Sequence, residues 1–153
     1  MLDRRRFMGT ALAAGASLLT FRPAGASLFK AGTLVIYKSP TCGCCSKWVD
    51  HVKAAGFETQ VHDVENMGTI KSRYGVPADL SSCHTALIDN YVIEGHVPAD
   101  LIQKLLKEKP EVAGLAVPGM PAGSPGMEMG TAKDAYDVLT FTRKGKTAVF
   151  ARR

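Results

Sequence analysis

The chain has 153 residues, of which 46% are hydrophobic and 22% charged. That composition suits one compact domain and excludes a highly charged disordered chain. Of the +5 net charge, +3 lies in residues 1–26, so the rest lacks the basic stripe that nucleic-acid binding requires.

Asp3-Arg4-Arg5-Arg6-Phe7-Met8 leads into a mild apolar stretch from Met8 to Phe21, then Arg22-Pro23-Ala24-Gly25-Ala26. A basic start, a short apolar segment and an Ala-x-Ala end form an export-signal pattern. The paired arginines before Phe7-Met8 resemble a twin-arginine (Tat) signal. Residues 1–26 are therefore expected to be a Tat signal peptide, and residues 27–153 the mature domain, delivered to the periplasm. An amphipathic first helix of the fold is the alternative. No run of about twenty apolar residues follows, so the mature form is expected not to span a membrane.

Thr33-Leu34-Val35-Ile36-Tyr37 is a β-branched and aromatic run that predicts a buried strand. Ser39 to Gly43 is a turn, punctuated by Pro40 and Gly43. Cys44 to Ala55 predicts a helix with Cys45, Trp48, Val49 and Val52 on one face, closed by Gly56. Phe57 to Val64 alternates and predicts a second strand. Asn66 to Tyr74 predicts a short helix stopped by Gly75. Ser82 to Ile88 and Tyr91 to Glu94 predict a hairpin about Asp89-Asn90. Pro98 is placed to open a helix over Ala99 to Lys109, with Leu101, Ile102, Leu105 and Leu106 on one side. From Glu111 to Gly130 no period survives, and a long loop rich in Gly, Pro and Met is expected. Tyr136 to Thr142 and Thr147 to Phe150 predict a terminal hairpin. The element order is that of an α/β, thioredoxin-like fold with a C-terminal β-hairpin added. Pro77 falls near the place where such folds carry a cis-proline.

All four cysteines fall in two places, Cys42-Gly43-Cys44-Cys45 and Cys83-His84. The first group opens a helix, whose free N–H groups and partial positive charge favour thiolate. Thiolate selects Cu(I) and zinc, and sulfur can bridge several Cu(I) ions. Cys42-x-x-Cys45 at a helix start after the first strand is also the position of thiol–disulfide exchange. Structural pairing is a third use, for which relaxed geometry allows Cys42–Cys45 or a bridge from this loop to Cys83. Cys42, Cys44, Cys45 and Cys83 are the expected metal ligands. An oxidising compartment favours copper, because unprotected thiols there oxidise.

His84 follows Cys83 directly, and in an extended strand the two would point to opposite faces. It is read as a core residue or a support to the site. His96, in Glu94-Gly95-His96-Val97-Pro98, is a site residue or a turn residue. His51 lies seven residues after Cys44, about 10 Å along a helix, too far for the same ion. His62 is expected to be exposed, and Trp48 to pack beneath the cysteines. Met120, Met127 and Met129 sit in the aperiodic loop, where thioether ligation and simple packing both remain open.

Tyr37 to Cys45 with Trp48 and His51, then Ser82 to Ala86, Glu94 to Pro98, Gly114 to Met120, and Gly123 to Glu128 together resemble the CopG-like periplasmic copper-resistance and metal-binding proteins. The motifs run in order from about Leu34 to Glu128. The resemblance implies a thioredoxin-like fold, copper held by Cys42, Cys44, Cys45 and Cys83, and a role in copper tolerance. It also implies interconversion of Cu(I) and Cu(II), and other periplasmic copper-handling proteins as partners. The expected cargo is Cu(I), as one ion or several, in a cysteine-thiolate site. A thiol–disulfide oxidoreductase using Cys42 and Cys45 is the alternative, and a zinc-stabilised module a third reading.

Overall fold

The computed structural model describes residues 32–153, so the export-signal reading of residues 1–26 lies outside the described residues. The chain forms a mixed α/β structure built on one seven-stranded sheet. Its strands are β1 (Leu34–Lys38), β2 (Thr59–Asp63), β3 (His84–Ile88), β4 (Tyr91–Glu94), β5 (Gly114–Ala116), β6 (Asp137–Phe141) and β7 (Thr147–Arg152). Three α-helices accompany them: α1 (Gly43–Ala54), α2 (Met67–Tyr74) and α3 (Ala99–Glu108). The sheet order is β2-β1-β3-β4-β5-β6-β7. β1 pairs parallel with β2 and antiparallel with β3, and β3 pairs antiparallel with β4.

Alternation along the strands sends one set of side chains to each face. Leu34 and Ile36 of β1, Ala86 and Ile88 of β3 and Ile93 of β4 join Trp48, Val49 and Val52 of α1 and Leu101, Ile102, Leu105 and Leu106 of α3. Val92, Ala116 and Phe141 lie with Val76 and Leu80 in a second, smaller cluster, against which Tyr74 at the end of α2 packs. Asn66 caps α2 by accepting from the Thr69 N–H at 3.1 Å, and Gly75 ends it in the left-handed conformation.

The predicted elements up to Lys109 are all present, with ends shifted by a few residues. Two expectations are corrected. The stretch from Glu111 to Gly130 is not loop throughout: β5 lies inside it and pairs parallel with β4 and antiparallel with β6. The terminal hairpin therefore continues the main sheet. Pro77 carries no cis bond; it precedes a 3-10 turn at Ala78–Leu80. No helix among the described residues is long and apolar enough to cross a membrane.

Candidate metal and thiol site

β1 ends where α1 begins, and this junction carries three of the sulfurs. Cys42 is the N-cap residue, with extended backbone and no side-chain capping bond. Cys44 lies half-exposed in the first turn, and Cys45 points into the core with no exposure. Cys42 and Cys45 are joined in a disulfide, the local bridge that relaxed geometry permits. Cys44 and Cys83 are free thiols.

Cys83 comes from the neighbouring strand, just ahead of β3. Antiparallel pairing of β3 with β1 sets Lys38 opposite His84 and brings Cys83 to the end of β1. Cys44 Sγ lies 3.5 Å from Cys42 Sγ and 4.0 Å from Cys83 Sγ. All four sulfurs fall within 4.8 Å of one another. Cys83, His84 and His96 form a second such group, sharing Cys83.

His96 is fully buried in the turn between β4 and α3. Its Nδ1 lies 2.7 Å from the Pro125 carbonyl and its Nε2 3.0 Å from Cys83 Sγ. Donation from Nδ1–H to that carbonyl leaves the Nε2 lone pair facing the thiol, which donates to it. His84 is also fully buried, its ring tilted against Trp48 at 4.3 Å and edge-on to His96 at 5.1 Å. Its Nδ1 stands 3.3 Å from Cys83 Sγ, and its Nε2 has no partner. The opposite-face expectation for Cys83 and His84 fails because Cys83 precedes the strand, where strand alternation does not apply.

Burial, with the adjacent Cys44 thiol adding to it, pushes the Cys83 thiol up to about 12. Burial holds His84 well below the usual imidazole range, and the nearby His96 and Lys71 add to that. Burial likewise lowers His96, against the Pro125 carbonyl and Glu128. Cys83, His84 and His96 thus form a neutral, partly desolvated group of one thiol and two imidazoles. It gains anionic sulfur when a cation displaces the thiol proton.

The remaining sequence-predicted residues sort clearly. Trp48 lies beneath the site as expected, fully buried, its indole N–H donating to the Val97 carbonyl at 2.9 Å. His51 takes no part; its Nε2 accepts from the Ala99 N–H at the start of α3. His62 is half-buried rather than exposed, and stacks on Tyr37 at 5.3 Å. Met120 and Met129 are exposed, and Met127 is half-buried. The loop meets the site through backbone instead: Pro125 holds His96, and Gly126 packs against the Cys44 carbonyl and Trp48 of α1.

Sequence reasoning missed Glu94. Its side chain is fully buried, pairs with Lys71, accepts the Ser82 N–H at 2.7 Å, and accepts the Thr85 hydroxyl at 2.7 Å. Burial raises its carboxyl, while Lys71, Thr85 and Ser82 oppose the rise. Every contact is from a donor, the pattern of an ionised carboxylate.

Two solved structures share this architecture. One, described as copper resistance protein CopG form 1, is 46% identical with a TM-score of 0.76, covering 81% of this chain and 98% of its own. The other, form 2 of a protein so described, is also 46% identical with a TM-score of 0.76, covering 79% and 97%. The chain belongs to the CopG family. A family model described as "Protein of unknown function, DUF411" matches residues 80–127 of this CopG-family chain, the segment holding Cys83, His84, Glu94 and His96. No curated protein matches it.

Proposed function

We propose that this CopG-family protein binds copper in the periplasm, holding Cu(I) on the thiolates of Cys42, Cys44, Cys45 and Cys83, and serves copper resistance. The observation that carries this reading is the convergence of four sulfurs within 4.8 Å. Zinc–sulfur bonds of about 2.3 Å set tetrahedral sulfurs about 3.8 Å apart, so this spacing admits a single zinc as well as sulfur-bridged Cu(I) ions. The names of the two similar structures favour copper over zinc. The basic and apolar pattern of residues 1–26 favours export through a Tat signal, leaving residues 27–153 as the mature domain. The β2-β1-β3-β4 order, with Cys42-x-x-Cys45 at the start of α1, favours the thioredoxin-like assignment.

Copper here is cargo. Cys42 and Cys45 would become ligands once an external dithiol reduces their bridge and is itself oxidised to a disulfide; the incoming metal then displaces each thiol proton to solvent. With the bridge closed, the donors left are Cys44, Cys83, His84 and His96, a mixed sulfur and nitrogen set. Imidazole tolerates Cu(II) while thiolate favours Cu(I), and this pairing supports an interconverting role. Other copper-handling proteins of the same compartment are the natural exchange partners. Cys45→Ser is expected to lower the copper bound per reduced chain; unchanged copper content in that variant sinks the reading.

A second reading, a thiol–disulfide oxidoreductase, is favoured by the Cys42–Cys45 bridge itself. Cys44, 3.5 Å from Cys42, invites mispairing and counts against it. Insulin-disulfide reduction at a rate comparable with a thioredoxin favours this second reading over the first.

A further inference from the structure

Cys83 has no regular secondary structure to fix it. It sits at a bend ahead of β3, yet its sulfur must face Cys44 on one side and His96 on the other. Its neighbours on either flank are held by one side chain. Glu94 Oε1 accepts the Ser82 N–H and Oε2 accepts the Thr85 hydroxyl, both at 2.7 Å. Lys71, from α2, pairs with the same carboxylate and donates to Thr85 Oγ1 at 3.2 Å. Further ties come from the Gly95 N–H to the His84 carbonyl at 3.0 Å, the Gly119 N–H to the Ser81 carbonyl at 3.4 Å, the Ser82 hydroxyl to the Gly119 carbonyl, and the pairing of β3 with β1 and β4.

Burying a carboxylate and an ammonium together is a poor way to add stability, because desolvation offsets most of their attraction. Apolar side chains of similar volume would fill the space at least as well. They would not hold the Ser82 N–H and the Thr85 hydroxyl at fixed positions. The pair's distinctive consequence is therefore geometric.

We propose that Glu94, charge-paired with Lys71, is a positioning residue for the sulfur site: it clamps Ser82 and Thr85 so that the intervening Cys83 sulfur stays against Cys44. The clamp touches no metal-binding atom and acts only through the backbone path of Cys83. Its value to copper binding rests on the function proposed above; the clamp itself can be read without metal.

The test uses the full chain with Cys42→Ser and Cys45→Ser, leaving Cys44 and Cys83 as its cysteines. Equilibration with reduced and oxidised glutathione measures their effective concentration. In this background, Lys71→Met with Glu94→Leu removes both charges and leaves no unpaired ion, so the fold is expected to survive. The expected result is a native circular-dichroism spectrum with effective concentration lowered about tenfold or more. Glu94→Gln, which keeps an acceptor for Ser82, is expected to fall between the two and serves if the double variant fails to fold. An unchanged effective concentration in either folded variant overturns the proposal. Competition with a Cu(I) chelator, on chains that keep all four cysteines, separates the two claims. Absence of copper from the unaltered protein defeats the proposed function while the thiol measurement still decides the clamp.

Discussion

Gly126 is where the C-terminal loop bears on the helix that carries the cysteines. Its φ is +86°, and a Cβ added there would stand 2.7 Å from the Cys44 carbonyl oxygen and 2.9 Å from the Trp48 nitrogen. Both are backbone atoms of α1 and cannot swing aside. In Gly126→Ala the left-handed conformation costs about 1–2 kcal/mol, and forcing a methyl into packed backbone about 1–3 kcal/mol more. The sum, roughly 2–5 kcal/mol, is a large part of the roughly 5–15 kcal/mol that stabilises a domain. Relief comes most cheaply by lifting the loop, which withdraws the neighbouring Pro125 carbonyl from His96 Nδ1. Gly130→Ala is the matched control: its φ is +70°, but nothing lies within 4 Å of the added methyl. Thermal unfolding should drop on the order of 10 °C for Gly126→Ala and clearly less for Gly130→Ala. Nitrogen NMR of His96 should show loss of a fixed tautomer only in the former. Equal melting shifts with an unchanged His96 signal would refute the contact.

Three further outcomes follow from the same geometry. With its thiol near 12, Cys83 is almost wholly protonated at pH 8. In the metal-free protein it should alkylate on the order of a thousandfold more slowly than a simple thiol, gaining about tenfold per pH unit; a rate that levels off near pH 8.5 contradicts this. The folded state keeps His84 and His96 neutral below the pH at which the unfolded chain protonates them, so their contribution is present above about pH 6.5 and lost as pH falls. Denaturant titrations should show stability falling from pH 7 to pH 5 by up to about 1.4 kcal/mol per pH unit for each group; a flat profile would show that neither imidazole is held neutral. Trp48→Phe leaves the Val97 carbonyl without its indole donor and opens space beneath His84. It should destabilise by roughly 1–3 kcal/mol, read by chemical denaturation, and a loss below about 0.5 kcal/mol would show the contact to be incidental.

Much of this was legible in the sequence because local chemistry decided it. The β-branched run at Leu34–Tyr37, the Asn66 and Gly75 caps and the Leu101 to Leu106 stripe each specify their element without distant help. Gathering of the cysteines was legible too, since a strand–turn–helix places Cys42, Cys44 and Cys45 together. What escaped depends on long-range partners. β5 is three residues long and exists through pairing with β4 and β6. Its Gly114 approaches β4 so closely that a Cβ would lie 1.8 Å from the Val92 carbonyl oxygen, but in sequence that glycine reads as loop. His96 reads in sequence as a site residue or a turn residue because the carbonyl that orients it belongs to Pro125. Glu94, at the end of a strand, reads in sequence as a solvent-facing charge; its burial is made tolerable by Lys71, Thr85 and the Ser82 N–H, all distant in sequence.

The central claim is that the four sulfurs form one copper-binding unit when the Cys42–Cys45 bridge is open. The most direct measurement is to reduce the protein anaerobically, load it with Cu(I), remove excess metal, and count copper and free thiols on the same sample. The account predicts two or more Cu(I) per chain, with all four thiols recovered after the copper is stripped. Metal-free protein that returns with one disulfide and two free thiols would contradict it.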